Sequence, residues 1–96
     1  MTALWIAHVA VTDPEAYGRY ARAAGPAIAA HGGVFLTRGG RHVQLEGTER
    51  ARNVVARFPS LEAAEACYRS AEYQAALAHA IGAAERDLVI VEEAAP

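Results

Sequence analysis

Short apolar runs and longer amphipathic segments alternate along the chain. Residues 3–11 are apolar and partly β-branched, which predicts a first strand. Thr12-Asp13-Pro14-Glu15 carries the signals of a helix start: a capping oxygen, a proline in the first turn and an early acid. Apolar side chains then recur at helical spacing from Tyr17 to Ile28, and His31-Gly32-Gly33 ends the predicted helix.

The region from Val34 to Glu46 predicts a long strand with Gly39-Gly40 inside it. Two interpretations are open at these glycines. They form the two-residue turn of a hairpin, or they form a bend that lets one long edge strand continue. The bend is favoured, because each half is short and would make a weak hairpin on its own.

The second half of the chain repeats this pattern. Residues 52–58 predict a strand that Pro59 stops, and Ser60-Leu61-Glu62 begins a helix with a capping serine. Ser70-Ala71-Glu72-Tyr73 repeats the helix-start signal, so we expect the helix to break and restart there. Residues 87–92 predict the closing strand.

The order of elements is therefore strand, helix, strand, strand, helix, strand. This is the order of the ferredoxin-like βαββαβ fold, an α+β fold with two helices on one face of an antiparallel sheet. The chain has 96 residues and no low-complexity linker, which fits one domain over residues 1–96.

Both faces of the predicted sheet carry apolar side chains. In the first strand, Leu4 and Ile6 point to one face, while Trp5 and Val9 point to the other. Two helices can cover only one face of the sheet. The other face would expose an apolar patch that monomers avoid. Packing against the sheet of a second copy would cover that patch, so we predict a homodimer whose sheets form a barrel-like sandwich.

Composition and charge exclude several classes of protein. The chain is 53% hydrophobic with a formal net charge of -2 and no block of like charges, so we expect no nucleic-acid partner. The N-terminal apolar run is too short for a signal peptide or a membrane span, which predicts a cytoplasmic protein without a membrane partner. Cys67 is the single cysteine, so an intrachain disulfide and a thiolate metal cluster are excluded.

Several short motifs stand in order along nearly the whole chain. They are Trp5-Ile6-Ala7, Thr12-Asp13-Pro14-Glu15-Ala16-Tyr17, Gly32-Gly33-Val34-Phe35-Leu36, Arg38-Gly39-Gly40, Leu45-Glu46-Gly47, Phe58-Pro59-Ser60 and Ser70-Ala71-Glu72-Tyr73-Gln74. Together these motifs resemble the family called domain of unknown function 1330. The resemblance implies a dimeric α+β barrel, in the superfamily that also holds antibiotic-biosynthesis monooxygenases, and it implies no settled reaction.

The resemblance also marks individual positions. Among those that match family motifs are Tyr20, Glu46 and Tyr73. One departure stands out: relatives often carry an arginine in the second helix, a turn or two after the motif that contains Tyr73, where this chain has His79-Ala80-Ile81. If that arginine binds an anion in relatives, this chain has lost the contact or moved it.

The histidines supply the candidate catalytic residue. The four of them show no metal-ligand spacing, and no haem, flavin, nicotinamide or phosphate-loop motif is visible, so we expect no metal and no cofactor. His8 shares a strand face with Leu4 and Ile6, where an imidazole could act as a general base near neutral pH. The alternative is a histidine that only hydrogen-bonds to a neighbouring element.

Arginines and tyrosines supply the candidate ligand-binding residues. A guanidinium of Arg38, Arg52 or Arg57, in or beside the strands, could bind a carboxylate bidentately. For Arg57 the alternative is an ion pair with Glu46 or another acid.

Tyr20 lies on the apolar stripe of the first helix, and the space between helices and sheet can open into a pocket in this fold. Tyr20, His8 and Arg57 would then line one cleft, with Trp5 as an alternative wall, because the sequence leaves open which strand face meets the helices. Tyr73 and Glu46 join the ligand-binding candidates as family motif positions.

Three functions remain open for a homodimer of this kind. The first is a cofactor-free enzyme, which needs an open cleft with an unpaired His8 beside Arg57 or Tyr20. The second is a non-catalytic protein that binds a small molecule in an open cleft, with His8 occupied by structural partners. The third is a structural homodimer with a closed core.

Overall fold

The computed structural model of the chain, which describes residues 1–95, contains four strands and three helices. In chain order they are β1 (Ala3–Val11), α1 (Pro14–Ala30), β2 (Val34–Arg38), β3 (Arg52–Phe58), α2 (Leu61–Arg69), α3 (Ala71–Ala80) and β4 (Ala84–Glu92). The strands form one antiparallel sheet in the order β2-β3-β1-β4, with the helices on one face. The predicted ferredoxin-like α+β fold is confirmed, and its second helix is divided into α2 and α3.

Side-chain caps set the helix boundaries that the sequence predicts. The Asp13 carboxylate accepts a hydrogen bond from the backbone N–H of Ala16 at 3.2 Å, which caps α1. Ser60 caps α2 in the same way. The break after α2 occurs at Ser70, whose hydroxyl oxygen accepts from the N–H of Tyr73 and so starts α3.

The alternation of burial along β1 shows which sheet face meets the helices. Trp5 is 1% exposed and Val9 is equally buried, whereas Ile6 is half-buried and His8 is exposed. The Trp5 ring packs on Phe58 with ring centroids 5.6 Å apart. The face that carries Trp5 therefore lies under the helices, and His8 lies on the opposite face, which we call the open face.

The region around Gly39 and Gly40 departs from both predicted interpretations. β2 ends at Arg38, and residues 41–49 are exposed and form no strand. The two glycines have φ values of +84° and +98°, and two successive positive values turn the chain out of the extended conformation. Neither the two-residue hairpin nor the continuous edge strand is present.

The open face is apolar and uncovered in one chain. Val34, Val89 and Val91 are 63%, 54% and 45% exposed, and Ile6 and Val55 beside them are half-buried. A stretch of this kind is larger than scattered surface apolar residues and is typical of an interaction surface. Within residues 1–95, no helix is long and apolar enough to cross a membrane.

Candidate functional site

A pocket lies between α1 and the buried face of the sheet. Its cavity volume is about 30 Å³, room for about two water molecules. Three arginines line it, Arg38, Arg52 and Arg86, together with tyrosines of α1 and apolar side chains that include Trp5 and Phe35. Arg38 is the exposed member of this lining, so the pocket meets solvent beside Arg38.

Sheet register brings the arginines to one place. Val9 of β1 pairs with Arg52 of β3 on one side and with Arg86 of β4 on the other. Because paired residues point to the same face, both arginines lie on the helix-covered face and flank Val9. Arg38 pairs with the buried Val54, which places the third guanidinium on that face as well.

Each pocket arginine lies over an aromatic ring. A guanidinium stacked on a ring face gains a cation–π attraction, and its N–H edge stays free to donate. The pairs, with distances from Cζ to ring centroid, are Arg38 over Phe35 at 4.2 Å, Arg52 over Tyr17 at 6.0 Å and Arg86 over Tyr20 at 4.6 Å.

Two tyrosine hydroxyls and Arg86 form a buried hydrogen-bonded group. The hydroxyl oxygens of Tyr20 and Tyr73 are 2.7 Å apart, and Nη2 of Arg86 donates to both, at 2.8 and 3.2 Å. Burial raises the pKa of both phenols, so both are neutral near pH 7. One hydroxyl donates its proton to the other, so the second hydroxyl proton of the pair is available for a further hydrogen bond. When Tyr73 is the donor, the spare proton belongs to Tyr20, which lines the pocket.

The polar side chains that line the pocket offer more hydrogen-bond donors than acceptors. Nε of Arg52 and Nε of Arg86 are buried and have no hydrogen-bond acceptor in the described part of the chain. Leaving such a buried donor unpaired costs about 1–3 kcal/mol. None of Asp, Glu or His lines the pocket within residues 1–95, and the ion pairs formed there involve other arginines. The site is therefore cationic and suited to an oxygen-bearing anion.

Four of the predicted ligand-binding residues meet at this pocket. Tyr20, Arg38 and Arg52 line it, and Tyr73 reaches Tyr20 from α3. Arg86 was not predicted, because the closing strand begins at Ala84, three residues before the predicted Asp87. The signal that could have found it is alternation, since Arg86 continues the inward-facing series of Leu88 and Ile90 toward the start of the strand.

The remaining predicted site residues lie elsewhere. His8 is on the open face, with its Nδ1 hydrogen-bonded to Oδ1 of Asn53 at 2.7 Å. Arg57 is on the same face and donates from Nε to Glu93 at 2.6 Å, which lowers the pKa of Glu93. Glu46 is exposed in the segment between β2 and β3.

The expected cleft of Tyr20, His8 and Arg57 is therefore not formed. The sheet separates Tyr20 from the other two side chains, because residue parity in β1 sends His8 and Trp5 to opposite faces. Trp5, the alternative wall, lines the pocket instead. Within residues 1–95, no group of three His, Cys, Asp or Glu side chains is placed to hold a metal ion.

The topology and the pocket define a ferredoxin-like α+β protein, and solved structures share this fold. A protein of unknown function from Rhodopseudomonas palustris has a TM-score of 0.78 and 23% identity, covering 99% of this chain and 84% of its own. A dimeric ferredoxin-like protein of unknown function from Thermobifida fusca has a TM-score of 0.66 and 21% identity, covering 97% and 92%. SnoaB, a cofactor-independent oxygenase from Streptomyces nogalater, has a TM-score of 0.64 and 9% identity, covering 99% and 95%.

A comparison with protein families gives a more specific result. Residues 2–94 match the domain of unknown function DUF1330. The chain belongs to this family, as the sequence motifs predicted. No curated protein matches the chain.

Proposed function

We propose that this protein binds a small organic anion in the pocket between α1 and the sheet. The observation that carries the proposal is the pair of buried, unpaired donors, Nε of Arg52 and Nε of Arg86. Native proteins satisfy nearly all buried polar atoms, so unpaired nitrogens on two arginines that line one pocket call for an acceptor that the fold does not supply. An anion would pair both and offset the local positive charge.

The proposed site contains residues predicted from the sequence and residues found in the structure. Tyr20, Arg38, Arg52 and Tyr73 belong to the first group, and Arg86 belongs to the second. His8 has a structural partner in Asn53 and lies on the far side of the sheet. This arrangement favours the non-catalytic ligand-binding function over the enzyme that would use His8 as a base.

The proposed functional unit is a homodimer joined through the open face. The exposed valines of β2 and β4 give that face the apolar character expected of a sheet-to-sheet interface. The Thermobifida fusca protein with this fold is described as dimeric, which supports the same assembly here.

A second candidate function is catalysis without a cofactor. Donors fixed around a substrate oxygen stabilise negative charge that develops on it during a reaction. The donor set of Arg86 and Tyr20 has this character, and SnoaB shows that the fold can host a cofactor-independent oxygenase. Turnover of a bound anion under air would support this candidate.

Isothermal titration calorimetry tests the binding function. The purified protein is titrated with acetate, phosphate and sulfate, and with acetamide as the neutral match for acetate. We expect at least one anion to bind saturably and acetamide not to bind, because acetamide lacks the charge that the guanidiniums recognise. Equal binding of acetamide and acetate, or no binding of any anion, would contradict the proposal.

Charge-removing variants locate the site. Arg52→Gln and Arg86→Gln should each weaken anion binding by about tenfold or more, the effect of losing one charge-assisted hydrogen bond. Arg22→Gln is the matched control, because Arg22 is an exposed arginine of α1 outside the pocket. An equal loss in the control would indicate nonspecific attraction to surface charge.

A further inference from the structure

We infer that the anion is a planar monocarboxylate with a small apolar substituent, held by its two oxygens between Arg52 and Arg86. This inference rests on the anion-binding function proposed above and specifies its ligand class. It follows from three properties of the pocket: the size of its cavity, the arginines that carry its unpaired donors and the apolar side chains of its wall.

The size of the cavity favours a carboxylate over a tetrahedral anion. A cavity of about 30 Å³ holds about two water-sized atoms. The two oxygens of a carboxylate match that number and lie in one plane with their carbon. Phosphate and sulfate carry four oxygens in a tetrahedron, and the two that do not bind the arginines would face the apolar part of the wall.

The unpaired donors belong to two lining arginines that flank Val9. Arg52 and Arg86 lie two strands apart, about 10 Å between their Cα atoms, with Val9 between them. Each presents one buried Nε–H without an acceptor. A carboxylate has two oxygens and about four lone-pair directions, so it can accept from both arginines and, when Tyr73 donates to Tyr20, from the Tyr20 hydroxyl as well.

Much of the pocket wall is apolar. Ala24 and Ile28 of α1 and Phe35 of β2 are among its lining residues, and the guanidinium of Arg38 lies across Phe35. Gly25 contributes no side chain here, and a Cβ at that position would stand 3.2 Å from Nη2 of Arg38. The substituent of the ligand would therefore meet methyl groups and a ring, with Arg38 covering it from the solvent side.

A third arginine, Arg38, lines the pocket, but it does not make the pocket a site for a dicarboxylate. It is exposed, so its N–H groups are solvated by water and gain little from a second carboxylate. The buried unpaired donors belong to Arg52 and Arg86, and one carboxylate satisfies both.

Titration of the full chain at one ionic strength tests the ligand class. The probes are propionate, its neutral amide propionamide, phosphate, sulfate and the dicarboxylate succinate. We expect propionate to bind at least about tenfold more tightly than phosphate, sulfate or succinate, and propionamide not to bind. Arg52→Gln and Tyr20→Phe should each weaken propionate binding by about tenfold or more, and Arg22→Gln should leave the affinity unchanged.

The outcomes separate this inference from the function on which it rests. Tighter binding of phosphate or sulfate would overturn the carboxylate assignment and leave anion binding in place. Tighter binding of succinate would overturn the monocarboxylate assignment alone. Absence of binding for every anion would overturn the function itself.

Amide chemical shifts on propionate addition provide a check that is independent of affinity. The Gly25 signal should move and that of Gly47, in the exposed segment between β2 and β3, should not. A shift at Gly47 alone would place the ligand outside the pocket.

Discussion

The two buried tyrosines offer a test in which similar chemical changes should have different consequences. Tyr20→Phe and Tyr73→Phe each remove one hydroxyl and leave the ring in place. Either change breaks the 2.7 Å bond between the hydroxyls and one bond from Nη2 of Arg86, at 2.8 Å for Tyr20 and 3.2 Å for Tyr73. Tyr20 lines the pocket, whereas Tyr73 supports it from behind. The two variants should therefore lose similar stability and different amounts of ligand affinity.

The magnitudes follow from the bonds that are lost. Each intramolecular hydrogen bond contributes about 0.5–1.5 kcal/mol, so each variant should lose about 1–3 kcal/mol in its free energy of unfolding. The double variant should lose about 1 kcal/mol less than the sum, because the two single variants share one bond. Tyr20→Phe should also remove a donor to the bound anion, a loss of about 1.5–3 kcal/mol, or roughly ten- to hundredfold in affinity.

Two measurements on the two single variants and the double variant test this prediction. Urea unfolding gives the free energies, and calorimetric titration with propionate gives the affinities. Tyr73→Phe should bind propionate within about threefold of the parent chain, because the Tyr20 hydroxyl and Arg86 remain. Equal loss of affinity in both variants, or an unchanged affinity in Tyr20→Phe, would refute the assignment of Tyr20 as the ligand-facing donor.

Three further results are expected. Because burial raises the pKa of Tyr20 and Tyr73 above the ordinary 10.0, the unfolded chain ionises first in alkali. The free energy of unfolding should begin to fall near pH 9, where the Cys67 thiol of the unfolded chain ionises. Above pH 10 it should fall by at most about 1.4 kcal/mol more per pH unit for each tyrosine. An equally steep fall above pH 10 after Tyr20→Phe, measured by urea unfolding, would contradict the contribution of the tyrosines. Val89→Glu on the open face should convert the proposed dimer to a monomer in sedimentation velocity, whereas Ala78→Glu on the exposed side of α3 should not. A dimeric Val89→Glu protein would count against the proposed interface. Burial raises the pKa of the Cys67 thiol to about 11, so a thiol reagent at neutral pH should react with the native chain far more slowly than with the urea-unfolded chain, and equal rates would show that Cys67 is accessible.

The parts of the fold that the sequence predicted well are those set by local chemistry. The cap at Asp13, the second cap at Ser70 and the apolar run of β1 depend on a few neighbouring residues, and the structure has all three where they were expected. The prediction for the segment after Gly39 was wrong because the same glycines are compatible with a turn, a bend or an exit from the sheet. The choice among these depends on packing that lies outside the segment.

The candidate site was harder to predict because it depends on sheet register. Period-two alternation shows that Trp5 and His8 lie on opposite faces, but it does not say which face the helices cover. Apolar side chains on both faces of β1 removed the usual signal. Arg86 was missed for a related reason: a charged residue at the start of an apolar run reads as the end of a loop, whereas pairing with Val9 makes it part of β4.

The arginine pocket favours the proposed binding function over a purely structural dimer. Guanidiniums that are partly buried without carboxylate partners cost desolvation energy, and apolar side chains of similar volume often stabilise a fold better. Arg52 and Arg86 have this arrangement within the described residues, and each keeps a buried nitrogen without an acceptor. Neither a packed core nor a covered open face requires the side chains of Arg52 and Arg86 beneath α1. Their presence is the pattern expected when stability is given up for a ligand, which is why an anion is the first partner to test.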